Sequence, residues 1–195
     1  MIPAFLLIVA AVAYRIVTGL AITSGTTWLS NFAPMAAIAL CAATYFPGKY
    51  RFSVPMIALL VSDIVVNTFY GFSLFSPFVL SHYVGFALVG ALGLLLRNRA
   101  SVKTMLPASI AASILFYVVT NTVSWLFDPG YPKNVAGLFQ SLTVGLPAYS
   151  ATPSWMFFRN SVLSDLIFTG LFLLCFHWGR ASEPVRATAA QPRTI

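Results

Sequence analysis

Long apolar runs, separated by short polar or Gly- and Pro-containing stretches, follow one another from the second residue of the chain to about residue 178. A helix needs about 20 apolar residues to cross the hydrocarbon core of a bilayer, within a range of about 17–25. The pattern therefore predicts an all-α integral membrane protein with six transmembrane helices, at about residues 2–20, 33–46, 53–70, 75–96, 105–127 and 156–178. Together they form one transmembrane domain over residues 1–180. The tail at 181–195, rich in Ala, Pro, Thr and Arg, is predicted to be disordered.

Composition supports a membrane protein. Hydrophobic residues make up 59% of the 195 residues and charged residues only 8%, and the mean hydropathy is +0.87, whereas about 25% of residues in soluble domains are charged. The net charge of +7 does not indicate a nucleic-acid partner, because the basic residues form neither a face nor a dense run. Cys41 and Cys175 fall inside apolar runs, so neither a disulfide framework nor a thiolate metal cluster is expected.

The distribution of basic residues predicts the orientation. Lys and Arg accumulate in short cytoplasmic loops, and here they follow the second, fourth and sixth runs. The loops at 21–32 and 71–74 carry no charge, and the loop at 128–155 carries only two charged residues. Both termini are therefore predicted to be cytoplasmic, on the side of Lys49, Arg51, Arg97, Arg99, Lys103, Arg180, Arg186 and Arg193.

The second run is shorter than a complete span. If its helix begins at Pro34, a favourable first-turn position for proline, 13 residues remain up to Phe46, and they cover only about 20 Å. Segment 30–33 must then lie below the outer membrane surface without regular backbone hydrogen bonds. Such a segment is tolerated only where protein or a water-filled cavity surrounds it. The short run thus predicts a pocket at the outer end of the bundle.

Two acidic residues stand inside apolar runs, each directly after a serine: Asp63 in LLVSDIVVN and Asp165 in SVLSDLIFTG. Both fall near mid-membrane, in halves of opposite direction, as an inverted repeat would place them, although chance also produces a two-residue match. A carboxylate at a helix centre costs about 2.5–3.5 kcal/mol on insertion scales. Arg15 and Arg159 are the available cations. These polar residues can hold the bundle together, form the floor of a binding pocket, or do both.

Further polar and aromatic residues gather in the middle and outer half of the predicted helices. Rings are more frequent at the outer helix ends than at the cytoplasmic ends, which indicates either an interfacial aromatic belt or a bulky, partly flat ligand bound from outside. The candidate substrate-binding residues are Asn31, Phe32, Asp63, Asn67, Tyr70, His82, Tyr83, Asn121, Trp125, Arg159, Asn160 and Asp165.

The outer loop at 128–155 contains a short stretch with leucines at helical spacing and Asn134 as a predicted N-cap. A short helix is therefore expected there, either as a lid over the pocket or as a passive interfacial element. No serine-elbow, zinc-protease or phosphate-loop motif occurs along the chain. The chain is not expected to be an enzyme.

Four stretches, NFAPMAAIAL, VPMIALLVSDIVV, YPKNVAGLFQSL and FRNSVLSDLIFTGLF, together resemble a six-helix bacterial family of transport proteins similar to the S components of energy-coupling-factor (ECF) transporters. Over about residues 1–180 the plan is similar to that of the solitary cobalamin transporters of the BtuM type. The resemblance implies a multi-pass protein of the bacterial inner (cytoplasmic) membrane that takes up a vitamin-like micronutrient, with cobalamin or another corrinoid as the first candidate. The implied partners are this substrate, membrane lipid, and an ECF coupling subunit with its ATPases. No intrinsic cofactor is implied.

Two features depart from that family. Its cobalamin members ligate cobalt through cysteine, but Cys41 and Cys175 lie toward the predicted cytoplasmic side, so His82 is the candidate metal ligand if the substrate is a corrinoid. S components also carry Ala-x-x-x-Ala on the first helix for docking, and the first run lacks that spacing. It occurs in other runs, where it serves either docking or the packing of the bundle itself. The small-residue pairs are Ala33/Ala37, Ala39/Ala43, Ala108/Ala112 and Ser109/Ser113.

Two further functions stay open beside micronutrient uptake. One is a proton-coupled small-solute carrier that uses Asp63 or Asp165 as its protonation site. The other is a membrane scaffold that transports nothing. The residues alone do not choose among the three.

Overall fold

The computed structural model of the protein describes residues 2–21 and 32–181, and within this part all regular secondary structure is helical. The predicted outer loop at 21–32 thus falls almost wholly outside the described residues, as do Asn31 and the tail from residue 182. The helices are α1 (Ile2–Ala21), α2 (Met35–Tyr45), α3 (Tyr50–Tyr70), α4 (Pro77–Leu96), α5 (Val102–Phe127), α6 (Val135–Leu142) and α7 (Ser154–Ala181), with a 3₁₀ turn at Arg97–Arg99.

Five helices, α1, α3, α4, α5 and α7, are long enough and apolar enough to cross a membrane. They coincide with five of the six predicted runs. The sixth run forms α2, whose 11 residues extend about 16 Å, which is too short to cross by itself. The described chain is therefore that of a helical, multi-pass membrane protein, with one shortened helix among five long ones.

Local sequence signals set the ends of the long helices. Ser76 accepts a hydrogen bond from the backbone of Val79 at 3.2 Å, and a proline follows it at the first helical position of α4. A capping box between Ser101 and Thr104 begins α5. At the other end of α3, Gly71 adopts φ 70°, a left-handed conformation that favours glycine and turns the chain directly toward α4.

The short helix α2 lies at the centre of the bundle, where it packs against α3, α4, α5 and α7. Nine of its residues, from Ala36 to Thr44, are buried. Small side chains allow this close packing: a Cβ atom added to Gly93 of α4 would lie 2.7 Å from the backbone oxygen of Leu40. The bundle is thus built around a helix that lipid does not reach.

The small-residue pairs of the second and fifth runs face the interior of this bundle. Ala37, Ala39 and Ala43 of α2 are at most 1% exposed, and Ala112 and Ser109 of α5 are fully buried. These surfaces are therefore used for packing within the chain. They do not form an external docking face.

Contacts between the helices fix their relative directions. Arg15 of α1 bonds Asp63 of α3, and later in both helices Tyr70 Oη bonds the backbone oxygen of Gly19, so α1 and α3 are parallel. Ser113 of α5 bonds Asp165 of α7, and four residues away in opposite chain directions Ser109 bonds Thr169, so α5 and α7 are antiparallel. Helices α1 and α3 therefore run in the same direction, whereas α5 and α7 run in opposite directions.

The distribution of apolar and polar side chains is the reverse of that in a soluble protein. Large apolar residues such as Ile57, Leu80 and Leu174 are 59–68% exposed on the flanks of the long helices. Serine, threonine and aspartate side chains are buried between the helices. This arrangement fits a protein whose outer surface contacts hydrocarbon and whose polar groups find partners inside.

The predicted short helix in the loop 128–155 is confirmed as α6. Asn134 is its N-cap, and the side-chain oxygen accepts from the backbone nitrogen of Gly137 at 2.9 Å. The segment before α6 is held to the end of α5, because Trp125 Nε1 donates to Pro132 O at 2.9 Å. Helix α6 packs against α5 and α7, on the flank where the cavity described below lies.

Candidate functional site

A polar cavity of about 180 Å³ lies among α1, the segment leading into α2, α4, α5 and α7. Its volume slightly exceeds that of an apolar cavity of about 150 Å³ that accommodates benzene. Arg15, His82 and Asp165 bring ionisable groups to its wall, and hydroxyl, amide and aromatic side chains complete it. The full lining consists of Arg15, Ala33, Met35, Ala36, His82, Ser113, Phe116, Tyr117, Thr120, Asn121, Phe157, Ser161 and Asp165.

An ion pair stands behind the cavity wall on the α1–α3 side. Arg15 Nη2 donates to Asp63 Oδ1 at 2.7 Å, and Nη1 of the same guanidinium bonds Ser62 Oγ. The Asp63 side chain is 2% exposed and that of Arg15 is 18% exposed. Because the pair is buried, loss of Arg15 would leave an unpaired carboxylate in the interior and would strongly destabilise the folded protein. Of the two available cations, Arg15 is thus the partner of Asp63.

His82 of α4 completes this charged group. His82 Nδ1 lies 3.9 Å from Asp63 Oδ2, which is beyond hydrogen-bond distance, and neither atom has a hydrogen-bond partner among residues 2–21 and 32–181. The imidazole stacks on Phe116 of α5 with ring centroids 5.9 Å apart. His82 therefore belongs to the cavity wall and lies between Phe116 and the Arg15–Asp63 pair.

The carboxylate of Asp165 has a different role, because it satisfies the N-terminus of α2. The residue preceding α2 is Pro34, which makes no side-chain cap, so the first amides of the helix need another acceptor. Asp165 Oδ1 accepts from the backbone nitrogen of Ala37 at 2.9 Å, and Ala36 also contributes a backbone hydrogen bond. The Asp165 residue is 1% exposed. A side chain of the last helix thus caps the shortened one.

Ser113 of α5 holds the second oxygen of Asp165. The distance from Ser113 Oγ to Asp165 Oδ2 is 2.7 Å, and that from the same hydroxyl to the backbone oxygen of Ser109 is 3.0 Å. The charge that Asp165 carries when ionised is adjacent to the positive end of the α2 dipole, which stabilises it. In the described residues, the ion pairs of the interior involve Asp63 and leave Asp165 without one.

The α5 wall offers neutral hydrogen-bonding groups. Tyr117 Oη donates to the backbone oxygen of Leu142 in α6 at 3.0 Å, Asn121 Nδ2 donates to Tyr117 O at 2.9 Å, and Thr120 Oγ1 donates to Phe116 O at 3.0 Å. Each of these side chains donates a hydrogen to the backbone, and its oxygen can in addition accept a hydrogen bond. The wall can therefore bind a solute that donates hydrogen bonds.

Three of the predicted site residues, His82, Asn121 and Asp165, line the cavity, and Asp63 lies directly behind it. Sequence reasoning missed most of the remaining wall. The spacing of these residues in the sequence could have indicated them, because it places each set on one helix face. The sets are Ser113, Tyr117 and Thr120 on α5 and Phe157, Ser161 and Asp165 on α7. In the sequence alone, the α5 set is hard to distinguish from hydroxyls scattered through an apolar helix.

Several other predicted residues serve helix ends and neighbouring surfaces. Asn67 Nδ2 donates to Asp63 O at 2.9 Å within α3. Tyr70 Oη donates to Gly19 O at 2.6 Å and thereby joins α3 to α1. Tyr83 is half-buried against the apolar core. None of these three belongs to the cavity wall.

The remaining predicted residues lie in the segment before α2, near the end of α5 and in the first turns of α7. Phe32 packs its ring edge to face with Tyr14, at 6.4 Å between centroids, and borders a separate apolar groove between α1 and α7. Trp125 anchors the loop that follows α5. Arg159 is exposed; its guanidinium donates to Asn160 Oδ1 and lies over the ring of Trp155. It thus does not pair with Asp165.

The comparisons with known proteins assign the chain to a family. A family model described as a family of unknown function (DUF6580) matches residues 1–186. The chain belongs to DUF6580. No curated protein and no solved structure matches this DUF6580 chain. The matched residues include every helix and all of the cavity lining, so the cavity lies wholly within the DUF6580 domain.

Proposed function

We propose that this protein binds a small polar solute in the cavity and carries it across a bacterial cytoplasmic membrane. The observation that supports this most is the cavity itself, a site with charged, hydroxyl and amide groups in the interior of an apolar helix bundle. Buried polar groups in membrane helices usually mark substrate or ion pathways. A scaffold that only held helices together would need those groups paired and would not need a space between them.

The proposed topology has six crossings, with both termini in the cytoplasm. The parallel directions of α1 and α3 fit this arrangement if α2, together with its non-helical lead-in, counts as a crossing between them, and the opposite directions of α5 and α7 fit it as well. Shortened helices that end inside a bundle next to a polar site are a feature of many transporters. The segment 32–34 before α2 is not helical, and Ala33 within it lines the cavity. This supports the expectation that α2 is short because a binding site replaces its outer part.

The class of solute follows from volume and wall chemistry. A cavity of about 180 Å³ favours a solute of the order of ten heavy atoms, by comparison with a benzene-sized cavity. A vitamin-like micronutrient of that size fits the proposal well. Cobalamin and other corrinoids are several times larger and would require the lead-in to α2 and the region around α6 to move apart. For a corrinoid, His82 remains the proposed metal ligand.

The proposal on energy coupling is limited by the packing described above. Because the small-residue pairs of α2 and α5 are buried, an ECF coupling subunit would have to dock elsewhere on the bundle. We therefore favour a carrier that works without such a subunit and its ATPases. Uptake in cells lacking every coupling subunit tests this directly, and dependence of uptake on the added module would contradict it.

A matched pair of asparagines tests the site. Asn121 and Asn67 both donate a side-chain hydrogen bond of 2.9 Å to the backbone oxygen four residues earlier, but only Asn121 lines the cavity. Small molecules that copurify with the full-length protein are identified by mass spectrometry, and their uptake into cells is then measured. We expect Asn121→Ala to weaken solute binding about 3- to 10-fold, as the loss of one hydrogen bond predicts, and Asn67→Ala to retain wild-type binding.

The same experiment has outcomes against the proposal. Equal effects of the two substitutions would remove the cavity from solute binding. If nothing copurifies, and no compound from a panel of amino acids, monocarboxylates and vitamins including cobalamin binds or is taken up, the scaffold function is favoured instead. A corrinoid would be recognised by its visible absorption spectrum, and a change of that spectrum in His82→Ala would support ligation by His82.

A further inference from the structure

We propose that Asp165, and not Asp63, binds and releases a proton at the cavity, so that the charge of the solute site changes by one unit with each proton. This deepens the proposed function and rests on it for the coupling to solute movement. The proton site itself rests on hydrogen-bond geometry and on the charges around the two carboxyl groups.

The first observation is a count of hydrogens at Ser113. This hydroxyl has one hydrogen but lies within donating distance of two acceptors, Asp165 Oδ2 at 2.7 Å and Ser109 O at 3.0 Å. With an ionised Asp165, one of the two contacts lacks a hydrogen. If Asp165 Oδ2 carries a proton, the acid donates to Ser113 Oγ, and Ser113 donates to Ser109 O. Both contacts are then hydrogen bonds.

The second observation concerns the charged and titratable groups that the neighbouring helices place near Asp165. From α1, the cation at the cavity is Arg15, but its guanidinium is bonded to Asp63 and Ser62. From α2 come two backbone amides and the neutral thiol of Cys41, whose sulfur lies 4.0 Å from Thr169 Oγ1. Helix α6 carries no titratable side chain. On this side of the cavity an ionised Asp165 is therefore stabilised by dipoles alone.

The remaining titratable groups at the cavity do not change this picture. His82 of α4 lies beside Asp63, and Tyr117 of α5 donates its hydroxyl hydrogen to α6. On α7 itself, Arg159 is exposed and bonded to its neighbour. Removing an unpaired carboxylate from water is strongly unfavourable, and a buried group avoids this by taking up a proton.

Asp63 provides the contrast within the same bundle. It is as deeply buried as Asp165, but a guanidinium contacts it at 2.7 Å. A proton on Asp63 would have to displace that ion pair, which leaves Arg15 as an uncompensated buried charge. Asp63 therefore stabilises the fold through its ion pair, whereas Asp165 can gain or lose a proton without breaking an ion pair.

The proton step is a simple transfer. A hydronium ion in the cavity gives its proton to Asp165 Oδ2 and becomes water, while Oδ1 keeps accepting from the backbone of Ala37. The carboxyl becomes neutral and the cap of α2 stays in place. Release reverses the step. A solute with a charged group then binds the two forms with different affinity, which couples its movement to the proton.

Infrared difference spectroscopy of the purified full-length chain in lipid vesicles tests the proton site without any solute. The sequence contains only four acidic residues, so a carboxylic-acid carbonyl band can be assigned by substitution. We expect a band in the folded protein near neutral pH that is lost in Asp165→Asn. The band should remain in each of Asp63→Asn, Asp128→Asn and Glu183→Gln.

A second variant covers the case in which Asp165→Asn does not fold. In Ser113→Ala the band should persist at a shifted frequency, because the acid has lost the hydroxyl to which it donates. Absence of the band in the wild type, its loss in Asp63→Asn, or an unshifted band in Ser113→Ala would overturn the proposal. Absence of solute uptake would count against the proposed function alone, because the infrared band is measured without solute.

Discussion

Replacement of Arg15 by methionine is the most direct test of what holds the bundle together. The change keeps an unbranched side chain of similar length but leaves the Asp63 carboxylate, 2% exposed, without its cation. Two unit charges about 4 Å apart attract by about 4 kcal/mol at an effective dielectric constant of about 20. Loss of one partner of a buried pair typically destabilises by about 3–5 kcal/mol, because the other charge remains buried. We expect a loss of stability in that range.

The measurement is chemical unfolding of the purified protein in detergent micelles, followed by far-ultraviolet circular dichroism. The double variant Arg15→Met/Asp63→Asn removes the charge that the single variant leaves behind. It should therefore be more stable than Arg15→Met, by about 2 kcal/mol or more. Arg159→Met is the matched control: this arginine is also in an apolar helix, but it is exposed and lies over Trp155, so its loss should cost no more than about 1 kcal/mol.

Two results would refute the reasoning. If Arg15→Met unfolds within about 1 kcal/mol of the wild type, the ion pair contributes little and Asp63 is compensated in another way. If the double variant is no more stable than the single one, the destabilisation comes from lost packing of the arginine side chain. In both cases Asp63 would lose its assignment as a residue that stabilises the fold through its ion pair.

Three further predictions concern packing, capping and orientation. Gly93→Ala should lower the free energy of unfolding by about 1–3 kcal/mol, because its Cβ would lie 2.7 Å from the backbone of α2. Gly170→Ala is the matched control: its Cβ would have no atom within 4 Å, and in the same unfolding assay it should raise the free energy of unfolding by up to about 1 kcal/mol. Asn134→Ala should remove the N-cap of α6 and lower stability by about 0.5–2 kcal/mol, while a wild-type unfolding curve would contradict the capping role. In a chain whose native cysteines are replaced by serine, an impermeant thiol reagent should label Ser73→Cys but not Ser101→Cys in intact cells, and the reverse pattern would invert the proposed topology.

The positions of the long helices could be predicted from the sequence because each apolar run is a strong, long-range signal. Residual errors were confined to helix ends. Helix α5, for example, begins at Val102 and not near residue 105, because a capping box formed by Ser101 and Thr104 extends it by almost a turn. Because few cations occur inside apolar runs, the sequence also identified Arg15 and Arg159 as the available partners for the buried acids, but it did not indicate that Asp63 would pair with Arg15.

The environment of Asp165 could not be predicted in the same way. Its partners are backbone amides of α2 and the hydroxyl of Ser113, and every residue except proline has a backbone amide hydrogen, so the sequence carries no mark of such a contact. The candidate site was limited for a related reason. Sequence position indicates depth in the membrane, but the direction that Asn67 or Trp125 faces depends on how the helices are rotated against one another.

The capping of α2 by α7 has a consequence for biogenesis. Spans enter the membrane in the order of synthesis, so α2 emerges long before the segment that carries Asp165. Until that last segment arrives, the first amides of α2 have no carboxylate acceptor, and an unsatisfied amide in hydrocarbon costs several kcal/mol. The early part of the nascent protein must therefore keep this helix end hydrated or held by the insertion machinery. A ribosome that stops before α7 leaves a chain with an exposed polar helix end, which membrane quality-control proteases can recognise as incomplete.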